Sequence, residues 1–195
     1  MSVFARAFFL VVATAAAGAP ICAAAPGDVP LDQLLALFAA RQHGHVTFTE
    51  RHELALLTRP LESSGELFYD APDYLEKRTL TPKAEDLKLE HGILTLERGR
   101  HHRSVELRDY PQLLPYLESL RATLAGDRAA LERYFHVQLS GNLDGWQLAL
   151  LPADATLGRT LREVRIAGER DAIRTVEIRE TDGDASVLTL GAVVP

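Results

Sequence analysis

The sequence predicts an α+β domain in which about ten antiparallel strands form a meander and two or three helices pack against it. Three observations carry this. Apolar residues alternate with period two over most of the chain, as at Val46, Phe48, Leu54 and Leu56, or at Trp146, Leu148 and Leu150. Glycines and prolines punctuate these runs at hairpin spacing, which suits an antiparallel sheet better than the long crossovers of a parallel one. The period lengthens to that of a helix in two places, near the start and between residues 110 and 135.

The elements follow in order. Asp28 to Arg41 reads as a helix, with Pro30 suited to its first turn and Leu31, Leu34, Leu35 and Phe38 on one face. The first long strand begins after His43-Gly44 and keeps Thr47, Thr49, Arg51 and Glu53 on its wet side. The segment ESSGELFYDAPDYLEKRTLTP, Glu62 to Pro82, holds one strand from Gly65 to Tyr69 and another from Tyr74 to Leu80, broken at Pro72 and stopped before Pro82. Asp86–Glu90 and Ile93–Glu97 flank the turn His91-Gly92, and Arg103–Leu107 follows a turn at Gly99-Arg100. Leu113, Leu114, Leu117, Leu120 and Leu124 form a helical stripe, with Pro111 at its start, Pro115 either in the first turn or kinking the helix, and Gly126 as its stop; Asp127 then caps a short helix. Strands resume at Phe135-Val137-Leu139 and continue through Trp146–Leu150, Arg162–Ala167, Ala172–Arg179 and Ser186–Leu190.

The chain has 195 residues and a formal net charge of −6. Acidity of this kind, spread between apolar residues, argues against nucleic-acid binding and against a polybasic membrane-surface role. Residues 1–25 read as a secretory signal: Arg6 in the basic region, an apolar run from Ala7 to Ala17, and a small-residue exit at Ala23-Ala24-Ala25. Ile21 before Cys22 does not suit a lipoprotein cleavage site. The expected mature chain, 26–195, is one soluble, exported domain, periplasmic in a Gram-negative cell, and a monomer.

The chemistry-bearing residues do not assemble into a catalytic motif. His43-x-His45 and His101-His102 lie at turns and strand starts, and a metal site needs three or four convergent ligands. None of Ser63, Ser64, Ser104, Ser119, Ser140 and Ser186 lies in a G-x-S-x-G or S-x-x-K motif. Asp182-x-Asp184 starts like a calcium loop but the later ligands are missing. No enzyme, metal or cofactor is expected. What remains is apolar surface, and pattern alone leaves two readings open: an ordinary packed core, or a curved, incompletely closed sheet whose helices cover a cavity.

The landmarks Gly65, Leu67, Pro72, Leu75, Pro82 and His91-Gly92, following the strand His45-Val-Thr-Phe-Thr-Glu, resemble those of the LolA-type periplasmic lipoprotein carriers. The resemblance spans most of the mature chain in element order and is concentrated between Phe48 and Leu96. It implies an unclosed antiparallel β-barrel with its helices as a lid over a hydrophobic cavity. It also implies a lipid or lipidated protein as cargo, an inner-membrane transporter and an outer-membrane acceptor as partners, and no catalysis. Two departures stand out. Ala71 occupies the position of the arginine that precedes the family's first proline, which marks a divergent branch; a classical lipoprotein shuttle would keep that arginine's role, here only through Arg59, Lys77 or Arg78. The aliphatic residues Ile93, Leu94 and Leu96 follow the turn where the family has aromatics.

Taking inward parity for each strand, the expected cavity residues are Phe48, Leu54, Leu56, Leu67, Tyr69, Leu87, Leu89, Leu94 and Leu96 on the sheet, Leu113, Leu117 and Leu120 on the lid, and Trp146 at one end. The function expected is acyl-chain carriage toward the outer membrane. The alternative is a periplasmic regulatory or scaffold protein with a packed core that binds a protein partner.

Overall fold

A computed structural model of the chain describes residues 28–110 and 114–193. The signal expected over 1–25 lies outside them. After the helix α1 (Leu31–Ala39) come β1 (His43–Glu53), β2 (Leu61–Asp70), β3 (Tyr74–Thr81), β4 (Glu85–Glu90), β5 (Ile93–Arg98) and β6 (His101–Glu106). The helices α2 (Leu114–Leu124) and α3 (Arg128–Tyr134) interrupt the strands. Then follow β7 (Phe135–Asn142), β8 (Gly145–Pro152), β9 (Leu161–Glu169), β10 (Ala172–Glu180) and β11 (Ala185–Val193).

All eleven strands join in one sheet in the order β6-β5-β4-β3-β2-β1-β11-β10-β9-β8-β7. Every neighbour pair except β1–β11 is also consecutive in sequence, and each is antiparallel. The β1–β11 pairing joins the first and last strands in mid-sheet, so the free edges are β6 and β7. Those two strands flank the helical insertion in sequence. The chain therefore crosses the gap of an unclosed barrel as α2 and α3 rather than as hydrogen-bonded backbone.

Turn chemistry fixes the registers. His91 and Gly92 both have positive φ, 52° and 74°, as a two-residue hairpin of the primed type requires. Gly65 faces the concave side, where a Cβ would fall 1.9 Å from the Arg78 carbonyl oxygen; the β2–β3 register shifts between Ser64 and Gly65 at this point. Pro72 and Pro82 bound β3 as expected.

Directly opposed residues share a face, and the register chains Leu148, Ile166, Val176 and Leu188 into one inward row across β8 to β11. Helix α1 lays Leu34, Leu35 and Phe38 on this half of the sheet, all three almost wholly buried. The Phe38 ring meets Trp146 edge-on at 5.5 Å, and the indole N–H donates to the Arg170 carbonyl at 3.0 Å. Helix α3 adds Leu131 to the same core and is capped as expected, the Asp127 carboxylate accepting from the Ala130 N–H at 3.0 Å. A second, smaller cluster joins Leu89, Leu94 and Leu107 to Leu75, Leu87, Leu114 and Leu117 under the start of α2.

Some boundaries shift. β1 starts at His43, so this residue lies in the strand rather than in a turn, and the strand ends at Glu53, short of Leu54 and Leu56. Leu54 instead accepts a turn hydrogen bond from the Leu57 N–H at 2.8 Å.

Candidate functional site

The two apolar clusters do not merge. Between them, under α1 and α2, lies a cavity of about 100 Å³. Its floor is the concave face of mid-sheet: Val46 on β1, Leu67 and Tyr69 on β2, Leu75 on β3, Ile173 and Val176 on β10, and Leu188 and Leu190 on β11. Phe38 from α1 and Leu120 and Leu124 from α2 form the roof. The sequence places them there by two periods, alternate residues along each strand and a three-to-four spacing along each helix.

One end of the cavity reaches the surface at Arg41 and Asp171, which pair at 2.5 Å with side chains 30% and 46% exposed. The Arg41 guanidinium beside Asp171 holds its carboxyl below the usual range, although partial burial opposes this. The ion pair ties the end of α1 to the turn between β9 and β10, so it closes this mouth with two charges from different elements.

Beyond the cavity the concave face turns polar. Lys77 opposes Leu67 and so faces inward. Its ammonium lies 5.2 Å from the centre of the Phe48 ring and 2.6 Å from the Glu50 carboxylate, which also accepts from the Ser63 hydroxyl at 3.1 Å. Burial pushes the Glu50 carboxyl up, but Lys77 and Ser63 outweigh it and leave the pKa below its ordinary value. Arg78 points to the other face, pairing with Glu76 at 2.6 Å and lying 4.8 Å from the centre of the Phe68 ring. There Tyr74 donates to Glu76, and burial together with that bond pushes the phenol up to about 12. Arg59 is exposed. Of the three residues that could stand in for the arginine replaced by Ala71, Lys77 is the one on the concave face.

Leu67, Tyr69 and Leu120 line the cavity. Leu87, Leu89, Leu94 and Leu117 belong to the smaller cluster beside it. Phe48 is buried under Lys77, and Trp146 sits within the main core. Leu96 has inward parity, opposite Leu87, but is 36% exposed near the open edge. Leu56 is 97% exposed in the loop after β1 and lines nothing; the shared parity with Phe48 has no force once the strand has ended. Leu113 lies outside the described residues. Missed by the sequence reading were Phe38, Val46, Leu75, Leu124 and the β10–β11 contribution. The last has the same alternating signal, but nothing local says that β11 pairs with β1.

Among the described residues, no group of three His, Cys, Asp or Glu side chains is placed to hold a metal ion. His43 pairs with Asp70 at 2.5 Å and His102 with Glu97 at 3.2 Å. No described helix is long and apolar enough to cross a membrane.

The structure is one unclosed antiparallel sheet of eleven strands with its helices over the concave face. The chain belongs to the family of outer membrane lipoprotein carrier protein LolA-like proteins, whose model matches residues 23–194. Comparison with curated proteins gives no match. Among solved structures, a LolA superfamily protein from Nitrosomonas europaea aligns at 11% identity and a TM-score of 0.47, covering 86% of this chain and 96% of that one. The Pseudomonas aeruginosa MucA/MucB complex aligns at 14% identity and 0.46, covering 85% and 58%. The Mycobacterium tuberculosis lipoprotein LppX aligns at 9% and 0.43, covering 82% and 94%. The family assignment rests on the sequence match.

Proposed function

We propose that the protein is a periplasmic, non-enzymatic carrier that takes acyl chains of a lipoprotein or another lipid between α2 and the concave face and conveys them toward the outer membrane. The observation that carries this is the apolar cavity on the seam between two separate cores in a member of a carrier family. Each CH₂ removed from water contributes about 0.8 kcal/mol. The seam is where a chain can be admitted without breaking either core, by moving α2 away from α1 and opening the Arg41–Asp171 mouth. Release requires a partner at the membrane that favours the open form, which fits an inner-membrane transporter and an outer-membrane acceptor. The test is mass spectrometry of a solvent extract of the purified mature protein, with uptake of a fluorescent fatty acid. Acyl material and saturable uptake are expected, with uptake at least tenfold weaker in Leu120→Trp, which fills the roof. No acyl material and no uptake would overturn the reading.

The cavity's size favours a second reading. At about 100 Å³ it is smaller than the roughly 300–1,000 Å³ of ordinary ligand pockets, as in a regulatory or scaffold protein that binds a protein partner. Under that reading lipid leaves Trp146 fluorescence unchanged, and the protein captures a stoichiometric partner.

A further inference from the structure

Tyr69 differs from every other side chain on the cavity floor. Its ring faces inward between Gly44 and Leu75, and the residue is 5% exposed. Its hydroxyl is buried and has no hydrogen-bond partner among the described residues. Buried polar groups are nearly always paired, and an orphaned one is costly. A hydroxyl in this place gains nothing for packing that phenylalanine would not supply.

The charge around it has a sign. Arg121, on α2, acts on the Tyr69 hydroxyl as a nearby positive charge, opposing the upward push of burial on the phenol. Arg121 is itself half-buried and anchored by Glu118, with contacts of 2.7 and 3.1 Å, so its position is held. A donor hydroxyl in a positive field suits a hydrogen-bond acceptor and disfavours a bare alkyl chain.

We propose that Tyr69 is the polar contact for the carbonyl end of an acyl ligand, so that the cavity prefers acyl chains bearing a carboxyl or ester group to plain hydrocarbon of the same length. This rests on the carrier reading and deepens it, placing the head of the chain at mid-floor beside α2. The shared chemistry is the carbonyl, from a free fatty acid or from an esterified lipid.

The test is fluorescence titration of the full mature protein with three probes: a pyrene-labelled alkyl chain ending in a carboxylic acid, in its methyl ester, or in a methyl group. The wild type should bind a carbonyl probe about three- to tenfold more tightly than the hydrocarbon, the yield of one net hydrogen bond. Tyr69→Phe should erase that preference, so that all three probes bind it with equal affinity. Preference for acid and ester alike points to an esterified source, and preference for the acid alone to a free fatty acid. Since Tyr69→Phe removes an oxygen that has no partner among the described residues, it should melt no lower than the wild type. As a second variant, Arg121→Gln should lower affinity for the acid more than for the ester. Equal wild-type affinity for all three probes, or a preference that survives Tyr69→Phe, would overturn the proposal and leave the carrier reading standing. Binding of none of the three would overturn both.

Discussion

Glu50 and Lys77 show how single residues set the polar half of the concave face. The register places Glu50 opposite Ser63 and Leu188, so its carboxylate enters a half-buried site, and Lys77 meets it from β3. A carboxylate whose folded pKa lies below its unfolded value near 4.5 stabilises the fold at neutral pH. That contribution is present above the unfolded pKa and is lost as pH falls through the lower, folded one. Glu50→Gln should therefore melt below the wild type at pH 7, leaving Lys77 without its charged partner. The difference should shrink as pH falls below about 4.5. Melting curves across that range check this, and a gap independent of pH would show that the ion pair is not its source. The sequence reads Gly65 as the start of a strand, but β2 runs through it from Leu61, and only the β2–β3 contact shows the Arg78 carbonyl where a Cβ would stand.

At the scale of elements, the lid depends on the tight link between α2 and α3. Gly126 has φ of 66° and lies against α1, where a Cβ would come within 2.3 Å of the Leu35 carbonyl oxygen. Asp127 then caps α3. Asp127→Ala should cost about 1 kcal/mol of stability. A urea midpoint lowered with its slope unchanged checks this; no change would show that the cap is idle. Both residues were readable as stop and cap because helix ends obey local rules. The end of β1 was not. Leu54 and Leu56 keep the alternation of Val46 and Phe48, yet pairing with β2 begins only at Leu61, so the intervening residues loop out and Leu56 meets solvent.

For the whole molecule, the uneven distribution of core has a dynamic consequence. The half formed by β7 to β11 with α1 and α3 holds the larger cluster, while β3 to β6 rest on a small one beneath α2. Local opening follows buried apolar contact. Amide exchange should therefore protect β8 to β10 most and β4 to β6 markedly less, and a bound acyl chain should raise protection on β2, β10 and β11, which floor the cavity. Uniform protection across the sheet would contradict a seam that opens independently of the main core.

The sequence by itself determined the periods, turns and caps, and hence the strands, the helices and the antiparallel meander. These are local, written in residues a few positions apart. Its resemblance to LolA-type carriers added the unclosed barrel, and the family match agrees. Only the tertiary structure decided that β1 pairs with β11, which brings Leu188 and Leu190 onto the floor beside Val46 and Leu67. Only it separated the two cores, aimed Lys77 inward and Arg78 outward, and left the Tyr69 hydroxyl at the seam with no partner among the described residues. Each depends on which distant residue stands opposite, a question of register and closure that periodicity along one strand does not answer.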